Sequence, residues 1–297
     1  MLFHNADILG SLIDPTSVKS DVLTAGMNDL EDALCQALGR ETENDCTETK
    51  ELGVAARGIA RATDMLTDSF HLVTTNVPYL ARGKQSNVLK RYAKERHSLA
   101  KKDLAMMFQG RCLKMSASGC TTATILPQSW LFQKTYKQLR KRLLRRYEWN
   151  TMARLGPGAF ETISGAVVNV ALMVLSKKTT ESSHRLTGID AQVGQSPRLK
   201  AGLLSTAPVR SALQAKELEN PDAVVLLEDM ENMQALSEFA DSQQGIKTGD
   251  NGHYRRRFWE LKQIGTTWVP WRSTVDHCTP FGGMEHVLFW ENDGQVM

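Results

Sequence analysis

Apolar residues along the first two thirds of the chain alternate between strand-like and helix-like patterns. Short apolar runs predict strands at 70–74 and 121–126. The run at 167–175 is apolar at nearly every position, which predicts a central strand covered on both faces. Strands that alternate with helices predict an α/β sheet with crossover connections. Helical spacing joins two sets of residues: Leu104, Phe108, Cys112 and Met115, and then Tyr136, Leu139, Leu143 and Tyr147.

The rest of the chain gives less regular patterns. Its composition changes near Asp241, after which tryptophans, glycines and the run Arg255–Arg257 accumulate, so we place a domain boundary there. The other expected elements are a strand end or turn at 2–7, helices at 18–38 and 52–66, a polar loop at 41–50, a loop or linker at 177–200, helical segments at 210–218 and 230–239, and a short strand at 224–227.

The basic residues are concentrated in the middle of the chain. Seventeen Lys and Arg residues lie between Arg82 and Arg146, opposed only by Glu95 and Asp103. Such asymmetry is typical of a surface that meets a polyanion, and nucleic acid is the usual candidate. A solvated helix face with no partner explains the same pattern. The candidate phosphate contacts are Lys84, Arg140 and, beyond the domain boundary, Arg255.

Several classes of protein are disfavoured by composition. The five cysteines are scattered and form no CxxC pair, which argues against a disulfide framework or a zinc knuckle and favours a reducing cytoplasm. No apolar run reaches the length that spans a membrane, so no membrane partner is expected. Asp276–Cys278 and His286 do not have the spacing of a metal site, so no metal is expected and a metal nuclease is disfavoured.

The sharpest local signal is the tetrapeptide Asn76-Val77-Pro78-Tyr79 at the end of an apolar strand. Ligands of open α/β sheets bind outside the carboxyl ends of strands, so this loop lies where chemistry is expected. The tetrapeptide resembles the Asn-Pro-Pro-Tyr motif of amino-group DNA methyltransferases, with Val77 in place of the first proline. Pro78 still favours an extended conformation at Val77.

The resemblance implies a role for each residue of the motif. A target adenine must leave the helix stack, and the ring of Tyr79 would replace the lost stacking. Its amino nitrogen is a weak nucleophile, which two acceptors aimed at its N–H bonds would activate. The side-chain oxygen of Asn76 and the backbone carbonyl of Val77 are the candidate acceptors.

Further segments in the same order are similar to adenine methyltransferases of type I, type IIG and BREX phage-defence systems. The resemblance implies that Leu104 and Phe108 line a cofactor pocket and that Phe160 contacts the extruded base. It also implies an incomplete Rossmann-like class I methyltransferase sheet with helices on both faces. The segments are 72–85, 103–108, 121–130, 154–160 and 245–251. The expected domains are the catalytic part at 1–180, a linker with connecting helices at 181–240 and the start of a target-recognition region at 241–297.

Two parts of the family pattern are missing before Asn76, namely the glycine-rich loop that approaches S-adenosylmethionine and the acidic residue that contacts its ribose. Asp7 is a candidate for a contact with the cofactor's adenine, although a helix N-cap explains it equally well. We therefore expect a truncated or split adenine-N6 methyltransferase that acts on double-stranded DNA with a flipped adenine. A separate chain would supply the cofactor-binding half. The alternative is a non-catalytic DNA-binding or specificity module derived from such an enzyme.

Overall fold

A computed structural model describes residues 3–17, 47–161, 168–226, 239–241, 245–246, 248–273 and 282–294. Most of the described chain forms one sheet with its helices. The helices are α1 (Ala6–Leu9), α2 (Thr47–Thr67), α3 (Asn87–Arg96), α4 (Leu104–Met115), α5 (Lys137–Arg146), α6 (Pro197–Thr206), α7 (Gln214–Glu219) and α8 (Asn251–Tyr254). The strands are β1 (Phe70–Asn76), β2 (Ser116–Pro127), β3 (Glu148–Gly156), β4 (Val170–Ser176), β5 (Arg185–Asp190), β6 (Arg210–Leu213), β7 (Arg255–Arg257), β8 (Trp268–Trp271) and β9 (His286–Phe289).

The main sheet has six strands in the order β1-β2-β4-β3-β5-β6. Strands β1, β2, β3 and β5 all run in one direction, whereas β4 and β6 are antiparallel to their neighbours. The carboxyl ends of the four parallel strands therefore meet at one edge of the sheet. Asn76 ends β1 and lies at that edge.

The two faces of the sheet carry separate apolar clusters. Along β4, Ala171, Met173 and Leu175 belong to the main core, while Val170 and Leu172 belong to a smaller cluster. Successive residues of a strand point to opposite faces, so the two clusters lie on opposite sides of the sheet. Helices α3, α4 and α5 supply much of the main core. Leu203 and Leu204 of α6 pack against the smaller cluster, so helices cover both faces.

The N-terminal segment is held against α3 and α4 by polar contacts. The Tyr92 hydroxyl donates to the Leu12 carbonyl at 2.6 Å, and the Arg111 guanidinium donates to the Ser11 carbonyl at 3.1 Å. The buried Asp14 carboxylate accepts from Lys114 Nζ at 2.9 Å and lies 3.5 Å from Arg111. Burial opposes ionisation of this carboxyl, but its hydrogen bonds and cations outweigh burial and lower the pKa of Asp14.

The α/β prediction is confirmed, and so are the strands at 70–74 and 121–126, the helices at 52–66 and 104–115, and the buried central strand, seen as β4. Of the two alternatives for 2–7, a turn is confirmed at residues 3–5, directly before α1. Two other predictions are wrong: 177–200 contains β5 and the start of α6 rather than a linker, and 224–226 is not a strand. The predicted helix at 210–218 begins as β6, and residues 47–50 of the predicted loop belong to α2. The predictions at 18–38 and 230–238 lie outside the described residues.

The chain divides into two compact units, residues 1–233 and 234–297. In the second unit, β9 lies between β7 and β8 in a three-stranded antiparallel sheet. Trp268 packs edge-on against Phe289, with ring centroids 5.2 Å apart. At least one of the tryptophans after the domain boundary therefore contributes to the packing of that sheet. Among the described residues, no helix is both long enough and apolar enough to cross a membrane.

Candidate active site

Asn76 is exposed at the carboxyl end of β1, in register with Ile125 of β2. Residues in register on neighbouring strands point to the same face, so Asn76 shares a face with Ile125. Ile125 packs against the smaller cluster, which is formed by Leu155, Val170 and Ala191. The Asn76 side chain therefore lies on the face that carries this cluster. We call this cluster the carboxyl-edge cluster, because Val170 is in register with Pro127 and Gly156 at the ends of β2 and β3.

The loop after Asn76 is anchored at both ends. Val77 is only 4% exposed and is part of the main core, so its side chain fixes the peptide that follows Asn76. Leu80 N–H donates to Asp103 Oδ1 at 3.4 Å, and Leu104 N–H donates to the Leu80 carbonyl at 3.1 Å. Asp103 also caps α4 by accepting from Ala105 N–H at 2.9 Å. The motif is thereby held between β1 and the first turn of α4.

Tyr79 and Phe160 meet at the carboxyl-edge cluster. Both rings are half-buried and pack against it, and Tyr79 also contacts the main core. The Tyr79 hydroxyl is buried and has no hydrogen-bond partner in the described part of the chain. Burial raises the pKa of Tyr79 to about 12, and the nearby Asp103 carboxylate adds to the rise. The ring is therefore neutral at physiological pH and offers a partly accessible aromatic surface.

The candidate cofactor residues are in different surroundings. Leu104 begins α4 beside Leu80 and Phe108 follows one turn later, and both are half-buried against the main core. Leu104 therefore lies next to the loop at 76–80, and Phe108 lies one turn further along the same side of α4. Asp7 is exposed on α1, a four-residue helix whose N-cap is Asn5. Asp7 therefore lies inside the helix and is not its N-cap.

The prediction that Arg140 binds DNA is contradicted by its burial. Arg140 is fully buried, and its guanidinium donates to the carbonyls of Ala223 and Asp222 at 2.9 Å, of Gln133 at 2.8 Å, and of Trp130. Four of the five N–H donors of the planar group are directed at the protein's own backbone. Arg140 ties the loop after β2 to the segment after α7, so it is a structural residue.

The other basic candidates remain available to solvent in different degrees. Lys84 is exposed in a short 3-10 turn that follows the motif. On α5, Arg142, Arg145 and Arg146 are exposed, but that helix runs towards the amino end of β3. These three cations therefore lie towards the sheet edge opposite Asn76. Arg255 of the second unit is half-buried, with its guanidinium 5.0 Å from the Trp271 ring centroid and 2.6 Å from His286 Nε2.

A polar network at the carboxyl edge was not predicted from the sequence. Arg154 at the end of β3 pairs with Asp190 of β5 at 2.6 Å, and Gln192 donates to the same carboxylate at 3.3 Å. Gln128, after β2, donates to Gln192 at 3.1 Å. The buried Lys200 donates to the Leu155 carbonyl and so fixes α6 to β3. The N-cap Ser196 followed by Pro197 could have signalled this helix.

The described residues include two cysteines but no cluster of side chains that could hold a metal ion. Across the described ranges, no group of three or more His, Cys, Asp or Glu side chains is placed to hold a metal ion. Asp276–Cys278 lies outside those ranges. Cys112 and Cys120 are free thiols, and burial raises the pKa of Cys112 to about 11, so that thiol is unreactive at physiological pH.

Comparison with known proteins finds similarity over the part of the chain that carries this site. Residues 16–160 match the family model of the Eco57I restriction-modification methylase. The chain is 24% identical over 278 residues to the adenine-specific methyltransferase PglX of Lacticaseibacillus casei (strain Zhang). It is 29% identical over 174 residues to the adenine-specific methyltransferase BrxX of Escherichia coli O9:H4 (strain HS).

The matches differ in how much of each protein they cover. They include 81% of this chain but 22% of the PglX relative, and 59% of this chain but 14% of the BrxX relative. The chain therefore spans less than a quarter of the length of either relative. The solved structure of the ATP-dependent Type ISP restriction-modification enzyme LlaBIII bound to DNA has a TM-score of 0.40, at 16% identity over 51% of this chain and 12% of that one.

Proposed function

We propose that this chain is the catalytic C-terminal part of a site-specific DNA adenine-N6 methyltransferase of a restriction-modification or phage-defence system. The observation that carries the proposal is the arrangement of Asn76, Tyr79 and Phe160 on one face at the carboxyl edge of the sheet. Both curated relatives described above are named adenine-specific methyltransferases, which supports the choice of adenine. Residues 241–297 are proposed as the start of the target-recognition region.

The anchored loop supplies the two acceptors that the reaction needs. The exposed side chain of Asn76 and the carbonyl of Val77 would accept the two N–H groups of an extruded adenine. Because the Val77 side chain is buried, its carbonyl needs no reorganisation when the base arrives. Tyr79 and Phe160 would hold the purine ring by stacking and edge contact. Valine in place of proline therefore keeps the acceptor and adds an anchor in the core.

S-adenosylmethionine would supply the methyl group. Within this chain, Leu104 and Phe108 would form the apolar wall against the cofactor's adenine, and Asp7 remains a proposed contact. Lys84 lies on the exposed turn after the motif and would approach the phosphates of the target strand. The remainder of the cofactor site would come from a further part of the same protein or from a separate chain.

The isolated chain should bind S-adenosylmethionine weakly, because the glycine-rich loop is missing before Asn76. Isothermal titration calorimetry with the purified chain should detect no binding at micromolar cofactor. Cofactor binding at micromolar affinity by the chain alone would contradict the split arrangement, while leaving the assignment of the catalytic loop intact.

Replacing Tyr79 distinguishes a catalytic role for this loop from a role in DNA binding alone. In a reconstituted methylating complex, Tyr79→Ala should lower methyl transfer by about 10-fold to 100-fold, because base–aromatic stacking contributes about 1–3 kcal/mol per base. Affinity for non-specific DNA should change less than threefold, since that affinity comes mainly from phosphate contacts. Methylation is measured with radiolabelled cofactor and DNA affinity by fluorescence anisotropy.

The conservative replacement Tyr79→Phe is the matched control. The hydroxyl is buried without a hydrogen-bond partner in the described structure, so its removal should leave methyl transfer within about twofold and should not lower stability. If Tyr79→Ala lowers DNA affinity as much as it lowers the rate, a non-catalytic DNA-binding module becomes the better description. A large loss in Tyr79→Phe would mean that the hydroxyl, not the ring, is the functional group.

A further inference from the structure

A small cavity lies between α3, α4 and α5, on the side of the sheet that carries the main core. Its volume is about 110 Å³, and its inner wall includes Leu113 and Leu143, two members of that core. Helices α4 and α5 lead into β2 and β3, which both run antiparallel to β4 and therefore parallel to each other. Most of the lining that these helices supply belongs to their second halves, near the amino ends of both strands. The cavity therefore lies towards the sheet edge opposite Asn76, and the proposed methyl transfer makes no use of it.

The solvent side of the cavity carries a surplus of positive charge. Arg96, Lys114 and Arg142 line it, and no Asp or Glu is among the described residues that do. Arg96 and Arg142 are exposed, and neither forms an ion pair within the described ranges. Lys114 pairs with Asp14 at 2.9 Å, but that carboxylate also lies 3.5 Å from Arg111. One carboxylate therefore faces two cations, and two further cations beside the cavity have no counter-ion.

The charge around the cavity acts on His97, which follows α3 and lines the cavity. The pKa of His97 is lowered to about 4, first by burial and then by Lys114, Arg111 and Arg96, against the opposite effect of Asp14. The imidazole is therefore neutral at physiological pH. The positive charges near this ring outweigh the one carboxylate, so an anion that entered the cavity would be attracted to it.

Gly110 of α4 leaves room in the cavity beside His97. A glycine inside a helix is less favourable than alanine, so close packing is the usual reason for one. Here an added Cβ would meet His97 Nδ1 at 3.8 Å, which is an ordinary contact, and no other described atom within 4 Å. Packing therefore does not require this glycine, whereas a larger side chain would fill the cavity. At about 110 Å³ the cavity is smaller than a pocket for a drug-sized ligand, which is about 300–1,000 Å³, so it suits one small group.

The exposed surface next to the cavity is also basic. Arg145 and Arg146 follow Arg142 by three and four residues on α5, so the three exposed arginines lie on one side of that helix. Glu95 and Asp103 are the only acidic residues from 82 to 146, and Asp103 is occupied as the cap of α4. A row of arginines that continues from a cavity lined by cations suits a ligand with more than one phosphate.

We propose that this cavity, lined by Arg96, Lys114 and Arg142, binds one phosphate group of a nucleotide or a nucleic-acid strand, and that Arg145 and Arg146 contact the phosphates that follow it. The planar guanidinium groups of Arg96 and Arg142 can each donate two parallel hydrogen bonds to a phosphate, and the ammonium of Lys114 adds a point charge. The apolar inner wall excludes water from one side, which strengthens such hydrogen bonds. The inference goes beyond methyl transfer and does not depend on it, because the cavity lies towards the other edge of the sheet.

The test uses the purified full chain and three probes: inorganic pyrophosphate, ADP, and a short duplex of G·C pairs, which contains no target adenine. Nuclear magnetic resonance follows the imidazole of His97, whose signal is identified by its loss in His97→Gln. A phosphate in the cavity opposes the cations that lower the pKa of His97. A probe that enters the cavity should therefore raise that pKa by about 1 or more, the usual effect of a charge beside an ionisable group.

Three variants connect phosphate binding to the cavity. Arg96→Gln and Arg142→Gln each remove an unpaired cation and should weaken pyrophosphate binding by about tenfold, as expected for the loss of a charged hydrogen-bonding group. Gly110→Leu keeps every charge but fills the cavity, and it should weaken binding by about tenfold as well. The control Arg198→Gln removes an exposed arginine of α6, which covers the other face of the sheet, and should change binding less than about twofold because distant exposed charges are screened. Arg96 and Arg142 are exposed and unpaired in the described structure, so both variants should stay folded, as thermal melting will check.

The outcomes also separate the two sources of phosphate. A rise in the His97 pKa with the duplex, together with a salt dependence of duplex affinity that falls by about one phosphate contact in Arg142→Gln, would support a nucleic-acid strand. A rise with pyrophosphate and ADP but not with the duplex would support a free nucleotide. The proposal is overturned if no probe raises the pKa, or if Gly110→Leu binds pyrophosphate as tightly as the unchanged protein. Equal weakening by Arg198→Gln would also overturn it, because binding would then follow the overall charge and not the cavity.

Discussion

Asn76→Ala is expected to lower the turnover number for methyl transfer by about 10²-fold to 10³-fold in the reconstituted complex, which is the typical loss when one preorganised polar group is removed from a transition state. Asn76 is exposed and ends β1, so its loss removes no core contact and should leave the fold intact. The KM for DNA should stay within threefold, because the acceptor acts mainly as charge develops on the adenine nitrogen. Steady-state kinetics on a short duplex with one target adenine measure both parameters.

Asn87→Ala is the matched control for this experiment. Asn87 is also an exposed asparagine, at the first position of α3, and Ser86 rather than Asn87 provides the cap. Its replacement should leave the turnover number within twofold. A result in which Asn76→Ala raises KM and leaves turnover unchanged would assign Asn76 to DNA binding and not to activation of the amino group.

The position of the candidate loop at 76–80 was predictable from the sequence because its signals are local. An apolar run followed by a polar turn identifies the end of β1, and the helical spacing from Leu104 to Met115 identifies α4. The anchoring of the loop was not predictable. It depends on Val77 packing into the main core and on Asp103 accepting from Leu80 across 23 residues of sequence.

The strands β3 and β5 were missed because their patterns are mixed. Strand β3 carries polar residues at its middle positions, and β5 alternates around Leu186 and Gly188 in a stretch rich in Ser, Thr and Gly. The face they share with the carboxyl-edge cluster is only partly covered, so polar residues are tolerated there. A search for continuous apolar runs recognises strands that are covered on both faces, and it therefore does not recognise β3 and β5.

The position of β1 within the sheet was not predictable from its composition. In the described structure β1 lies at the edge of the main sheet. Apolar composition indicates that a strand is to be buried, but it does not say which polypeptide buries it. The exposed Leu72 shows that β1 is incompletely buried by the part of the chain that the structure describes.

The burial of Arg140 was also not predictable from the charge pattern of its helix. The residue belongs to a basic helix, and nothing in the sequence separates it from its neighbours, the half-buried Lys141 and the exposed Arg142, except its spacing from Leu143. Its burial depends on two carbonyls of the preceding loop, at Trp130 and Gln133, and on two more than eighty residues later, at Asp222 and Ala223. Long-range backbone partners of this kind leave no local signature.

Arg140→Ala should therefore impair folding and not DNA binding. Its loss would leave buried carbonyls without donors, each costing about 1–3 kcal/mol, so the free energy of unfolding should fall by roughly 3 kcal/mol or more. Urea unfolding followed by circular dichroism measures the change, and Arg140→Lys should recover only part of it because one ammonium cannot reach four acceptors. The control Arg142→Ala is exposed and should change stability by less than about 0.5 kcal/mol. If Arg140→Ala kept its stability and instead reduced the salt dependence of DNA affinity, the side chain would be a phosphate contact after all.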